Sequence, residues 1–488
     1  MITQIEIDGF KTFKDFKVEL APFQVIVGPN GSGKSNLFDA LQLLSRLAEK
    51  DFYGAFQGLR GDAGELFTKY PDGSSSDSIK IAVEMLMDRK GKDALGRPVE
   101  LQYIRLRYEL EVALYIEAEE PSQWDIKHEA LRIIPTDTDS WRKKYNLTLQ
   151  NESLPENLDD KRTLFSVFRD EDGGHVLRIY SEAIWSDEQT PFDQGYLSTH
   201  LSLNRTALAG NVVTLLLSSR HITSYHAFAA LEKLRALRFL HLSPAALRQP
   251  SSANAPRFLS SDGGNLPTTL ARMQAEDNFA LTDVSLTLSS LVPDLVEIEL
   301  KKDEVRNEYT IWAKYVDGRV FSSRVLSDGT LQLLALATLK CDPQFRGVLC
   351  FEEPENAIHP SYLTNIAHLL RGLATDFSDP QWVDEPLRQV LVTTHSPTFI
   401  SQPDVIDALL FTYTMTRVEP SATGLPPMRF THAAPVRLTM DSTENTDVKN
   451  EATYTIALVK DLLTRNQLDE ALKRLDEAKM KLNEGSDG

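Results

Sequence analysis

The segment VIVGPNGSGKSNLFDAL, residues 25–41, admits few folds. Val25, Ile26 and Val27 are β-branched and apolar, as a buried strand requires. Leu37, Ala40, Leu41 and Leu44 then recur at helical spacing, which predicts a helix over 36–44. Between them lie Gly28, Gly31 and Gly33, followed by Lys34 and Ser35, in the pattern GxxxxGK[ST]. The glycines let successive backbone N–H groups curl around phosphate oxygens, and the helix N-terminus adds its partial positive charge. The pattern therefore points to Gly28, Pro29, Asn30, Gly31, Ser32, Gly33, Lys34, Ser35 and Asn36 as a nucleotide-binding loop. Lys34 is expected to reach the β and γ phosphates, and the Ser35 hydroxyl to hold Mg²⁺.

Such a loop needs a metal-holding carboxylate at the end of a neighbouring strand, and VLCFEEP supplies two acids. Residues 348–351 read as a strand buried on both faces, ending in Glu352 and Glu353. Successive residues at a strand end point in different directions, so the acids can divide the work. Glu352 is expected in the Mg²⁺ shell, and Glu353 beside the γ-phosphate, orienting or deprotonating the attacking water.

Composition narrows the partners. At 488 residues there is room for two or three domains, and a formal net charge of −18 repels nucleic acid at long range. DNA contact would need a local basic patch, for which Lys233, Arg235 and Arg238 are the candidates, against a plain reading as a solvated helix face. Cys341 and Cys350 lie outside any CxxC spacing and read as two buried thiols in a reducing compartment. The start MITQIEIDGFK lacks a signal-peptide pattern, and no apolar run approaches the roughly 18 residues of a membrane span. A cytoplasmic location is expected.

Along the chain, strands are expected at 2–7 and 24–27, with an antiparallel insertion suggested by 79–87 and 103–116. Composition turns helical over 215–247 and 265–291, and strands return at 295–300 and 309–315. A polar stretch over 419–450 precedes a helical tail in which Leu468, Leu472, Leu475 and Leu482 form one stripe suited to packing on the body of the protein or, as the alternative, on a partner. The expected division is 1–200 and 295–415 for the two halves of a nucleotide-binding head, 201–294 for a helical lobe, and 416–488 for a linker and helical extension.

In order, the chain carries the phosphate loop, LSDGTLQ (326–332), CFEEPENAIHP (350–360) and VTTHSP (392–397). In these motifs it resembles the ABC-type ATPase heads of the SMC, RecF, RecN and OLD group, and within it the bacterial stand-alone AAA family ATPases with an EEPE Walker B motif and an NxxHP D-loop. The resemblance covers roughly 1–50 and 320–400. It implies an α/β fold: an ABC-ATPase (P-loop NTPase) head with a mixed sheet, an antiparallel β-subdomain and a helical lobe. It implies ATP and Mg²⁺ as cofactors, and a catalytic set of Glu353, His395 and Lys34, with His395 as the switch histidine. Ser327, Asp328 and Gly329 correspond to the signature, which in the family touches the γ-phosphate held by the opposite subunit. Asn356 and His359 correspond to the D-loop, which crosses that interface.

Two departures stand out. LSDG replaces the LSGG of transporters, which places the Asp328 carboxylate near the partner's nucleotide, and Glu352 replaces the usual Walker B aspartate. Gln57 is the nearest candidate for the Q-loop glutamine. Arg205, His221 and His226 belong to no motif and read as structural.

The function implied is an ATP-driven switch in which two copies clamp two nucleotides. OLD-type relatives carry a TOPRIM nuclease after the head, marked by a DxD pair, and none occurs in the residues after His395. The effector, a nuclease or toxin, is therefore expected to be separately encoded, in anti-phage defence. The alternative is a RecF-like DNA-binding repair ATPase. A transporter's cytosolic subunit is disfavoured by the EEPE and NAIHP pattern, and a binder that never hydrolyses by the filled catalytic positions.

Overall fold

The structure, a computed structural model, describes residues 1–93, 95–115, 123–147, 163–169, 174–180, 196–201, 205–212, 222–256, 258–356, 358–383, 385–417, 427–436 and 459. A six-stranded sheet runs through the molecule in the order Leu237–Leu240, Gly347–Glu352, Arg388–Thr394, Phe23–Val27, Leu409–Arg417, Met428–Pro435. Its first five strands are parallel and the last is antiparallel. The continuous apolar runs are what parallel strands covered on both faces require.

Side chains alternate between the two faces. Ile26, Cys350, Leu391 and Leu410 enter one core with the helices Lys34–Glu49 and Ile222–Arg235. Val25, Val27, Phe351, Val392 and Phe411 enter another with the helices Asp328–Cys341 and Leu363–Leu373. The helix after the phosphate loop and the helix after the signature thus cover opposite faces of one sheet.

The antiparallel insertion is part of an eight-stranded sheet in the order Tyr196–Leu201, His175–Tyr180, Thr163–Arg169, Gln123–Ile133, Arg105–Tyr115, Ile79–Leu86, Ile2–Asp8, Phe16–Glu19. The fully buried Gln389 joins the two sheets: its Oε1 accepts from Ile2 N (2.8 Å), and its Nε2 donates to Ile2 O (2.7 Å) and Ala21 O (2.9 Å). A smaller sheet pairs Leu295–Asp303 with Glu308–Tyr315, as the sequence indicates.

Two expectations need correction. Residues 215–247 are not helical throughout, because Leu237–Leu240 is a strand paired in parallel with Gly347–Glu352. The polar stretch contains Met428–Pro435, an edge strand of the six-stranded sheet. Both strands lack an apolar run long enough to announce them; neighbouring strands supply the hydrogen bonds that hold them. The stripe Leu468, Leu472, Leu475 and Leu482 lies outside the described residues, as does His221. Among the described residues, no helix is long and apolar enough to cross a membrane.

The buried Glu129, on Gln123–Ile133, accepts hydrogen bonds from Tyr108 Oη (2.9 Å), Ala207 N (2.7 Å) and Leu208 N (2.9 Å), and so pins the segment from Thr206 to the sheet. Burial pushes its carboxyl up to about 7, from an ordinary 4.5. The folded chain therefore holds an extra proton between those values; the stabilisation is complete below the window and is lost as pH rises through about 7. Denaturant titrations at about pH 4.5 and about pH 7 should show the parent losing on the order of 3 kcal/mol that Glu129→Gln does not lose.

Candidate nucleotide-binding site

The three loop glycines serve two different needs. A Cβ on Gly28 would lie 2.2 Å from Thr412 O, and one on Gly33, whose φ is +96°, would lie 2.2 Å from Thr431 Oγ1. Gly31, with φ +78°, faces open space, with nothing within 4 Å of its Cβ position. Gly28 and Gly33 thus admit the strands Leu409–Arg417 and Met428–Pro435, while Gly31 makes the left-handed turn that leaves the loop's mouth open.

Ser32 Oγ bonds Thr412 Oγ1 (2.7 Å), and Asn36 Nδ2 donates to Thr12 Oγ1 (3.0 Å). Those side chains tie the loop down, so what Ser32 and Asn36 offer a phosphate is backbone N–H. Pro29, Asn30 and Gly31 are exposed. The helix Lys34–Glu49 starts from Gly33 without a side-chain cap, leaving its first N–H groups to face the loop's mouth. Lys34 Nζ folds back onto Gly28 O (2.7 Å) and Pro29 O (3.0 Å). Burial lowers its pKa, and the charge of Glu353 opposes that shift.

By strand alternation from Cys350, Glu352 points to the same face as this helix. It is half-buried, and burial raises its carboxyl pKa against the pull of Arg60 and His241. Arg60, which no motif announces, donates to Ser35 O (3.0 Å) and Asp39 Oδ1 (3.0 Å). Lys11 Nζ holds the other Asp39 oxygen at 2.6 Å. The half-buried Ser35, Glu352 and the Arg60–Asp39 pair therefore belong to one neighbourhood. The only sequence signal for Arg60 is its place shortly after the loop's helix, too weak to separate it from other surface arginines. Gln57 is exposed and offers its carbonyl oxygen to Arg46; its side chain has no hydrogen bond to residues 28–36.

Glu353 takes φ +49°, a left-handed conformation that costs a non-glycine residue about 1–2 kcal/mol. Its N–H donates to Thr393 O at 2.9 Å, so the strand pairing continues while the side chain is redirected. Oε1 then lies 3.0 Å from His395 Nδ1, and Oε2 accepts from Asn356 Nδ2 at 2.7 Å. The structure thus brings Glu353, His395 and Asn356 together from two separate motifs. His359 stands apart, exposed, capping the turn Pro360–Tyr362 by accepting from Ser361 N (3.3 Å).

Ser327 is exposed at the N-cap of Asp328–Cys341 and accepts from Thr330 N (3.2 Å). Gly329 is buried. Asp328 is ion-paired with Arg248, which also donates to Leu326 O (3.0 Å), so its charge is locally offset. In the candidate DNA patch, Lys233 is buried against Asp88 (2.5 Å), Arg235 donates to Ala48 O (3.0 Å) and Arg238 lies over the Phe258 ring. Lys233 is therefore structural, while Arg235 and Arg238 stay half-buried. The buried His226 is also structural, accepting from Tyr103 N (3.1 Å). Cys350 is buried and Cys341 half-buried; both are free.

Residues 23–87 and 90–401 match the family described as "AAA domain, putative AbiEii toxin, Type IV TA system", well over half of the chain. The chain belongs to this AAA-domain family. Over 98 residues, 20% of its length, the AAA-domain chain is 33% identical to the chromosome partition protein Smc of Bordetella petrii, and it spans 8% of that relative. It is similar to the crystal structure of the SmcHead bound to the C-winged helix domain of ScpA, with TM-score 0.45 and 13% identity over 89% of this chain and 98% of that one. It is also similar to the SMC head domain from Thermotoga maritima, with TM-score 0.37 and 11% identity over 89% and 99%. The mixed sheet and the antiparallel β-subdomain expected from the motifs are both observed, in a chain of an AAA-domain family.

The glycines differ in what a methyl group would meet. Gly33→Ala should lower the unfolding free energy read from denaturant titration by about 1–3 kcal/mol more than Gly31→Ala, because only the former drives a Cβ into Thr431.

Proposed function

We propose that this AAA-domain protein binds and hydrolyses ATP between two copies of itself, and that the resulting closing and opening controls a separately encoded effector. The observation that carries this reading is the placement of Lys34 and Ser327 on helices that cover opposite faces of one sheet. A serine cap exposed on one face, and an open phosphate loop whose helix lies on the other, suit a site completed by a second copy.

The residues present fit a nucleotide with Mg²⁺: an open left-handed turn at Gly31, an uncapped helix N-terminus, the Lys34 ammonium, the Ser35 hydroxyl and the half-buried Glu352. When bound, Mg²⁺ neutralises charge on the β and γ phosphates. Lys34 exchanges its two loop carbonyls for phosphate oxygens. Glu353, redirected by its left-handed backbone, orients the attacking water and accepts its proton, and His395 holds the other end of that arrangement. Catalysis here is positioning and charge neutralisation rather than covalent chemistry.

The family description names a putative AbiEii toxin of a Type IV toxin–antitoxin system; a separately encoded nuclease or toxin, a role in anti-phage defence and a cytoplasmic setting are proposals carried from the motif resemblance. The DNA-repair alternative has less behind it, since Lys233 of its candidate patch is buried against Asp88 and Arg235 and Arg238 make internal contacts.

Complementation tests the shared site. Lys34→Ala and Ser327→Ala should each be inactive alone, yet a mixture should recover about a quarter of the parental turnover, because each mixed dimer contains one intact site. No recovery on mixing, together with parental turnover that is indifferent to dilution, would overturn the reading. In a separate measurement, Glu353→Gln should retain nucleotide binding while turnover falls about 100-fold or more.

A further inference from the structure

The turn that follows Glu353 is held from the far face of the sheet. Gln332, five residues beyond Ser327 and 3% exposed, donates from Nε2 to the Asn356 carbonyl oxygen at 2.9 Å. Asn356 in turn donates from Nδ2 to Glu353 Oε2 at 2.7 Å. Two hydrogen bonds therefore connect the helix opened by Ser327 to the carboxylate on the same chain.

Packing alone does not account for a glutamine at this position. Among the described residues, Gln332 Oε1 is buried and has no hydrogen-bond partner, a condition that penalises an amide where an apolar side chain of similar volume would incur no such cost. Glu355 Oε2, on the other side of the same turn, is likewise buried and unpartnered, while Oε1 accepts from Thr394 Oγ1 (2.5 Å), the residue before His395. The turn is thus gripped by two polar side chains, one from the signature helix and one facing the His395 loop.

We propose that Gln332 is a positioning residue that makes the state of one nucleotide site felt at the other. When Ser327 engages the nucleotide held by a second copy, the first turns of Asp328–Cys341 move as a unit, and Gln332 delivers that displacement through Asn356 to Glu353. Gln332 itself touches no reacting atom. The inference rests on the reading above of Glu353 as the base and of a site shared between two copies.

Gln332→Met preserves volume and removes the donor. Turnover should fall about 3- to 10-fold, with the KM for ATP unchanged and the melting temperature no lower than the parent's. In an Asn356→Ala background the same substitution should have no further effect, because the connection is already cut. Parental turnover in Gln332→Met, or an equal loss in both backgrounds, overturns the inference. Should the methionine variant not fold, Gln332→Leu, a second side chain without a donor, is read by the same outcomes. Failure of the broader reading looks different: the Lys34→Ala and Ser327→Ala chains would not complement each other, whatever residue stands at position 332.

Discussion

The backbone hydrogen bonds that pair Phe23–Val27 with Arg388–Thr394, strands distant along the chain, determine where the side chains of the candidate site stand. Parallel strands end at the same edge of a sheet, so the loop after Val27, the acids after Phe351 and the histidine after Thr394 all emerge together. None of the three segments could hold a triphosphate alone. Their joint position follows from the register of the parallel strands.

That edge is finished by two strands with no chemistry of their own. Thr412 and Thr431 close on Gly28 and Gly33, and Thr412 bonds Ser32. The loop is thereby pressed into shape before any ligand arrives, which reduces the ordering a nucleotide would otherwise have to impose. The same edge accommodates one unfavourable backbone conformation, at Glu353, where the chain leaves the sheet with positive φ. Three partners, Thr393, His395 and Asn356, over-determine that conformation, which is how strain persists at a site.

Charge is arranged with similar economy. An overall excess of acids surrounds a small region in which Lys11, Lys34 and Arg60 stand against Asp39, Glu352 and Glu353. Burial pushes Lys34 and Glu352 toward their neutral forms, so each gains by meeting an opposite charge. A negatively charged phosphate chain with its cation offers both at once. Of the candidate basic patch, Lys233 pairs with Asp88, Arg235 donates to Ala48 O and Arg238 lies over the Phe258 ring.

The sequence by itself determined the phosphate loop, the buried strand that ends in two acids, the signature cap and the antiparallel insertion. These are local patterns, in which spacing and residue type suffice to name a strand, a cap or a turn. It also placed Glu353 and His395 in one site through the order of their motifs. Only the tertiary structure decided that Leu237–Leu240 and Met428–Pro435 join the central sheet, because a short or polar strand is stabilised by partners far away in sequence. Likewise, only the fold could show that Gly28 and Gly33 make room for two threonines, that Arg60 leans over Ser35, and that Gln332 reaches Asn356 from the other face. Each of these is a contact between segments distant along the chain, set by how two layers of helices close on a sheet, and periodicity carries no record of it.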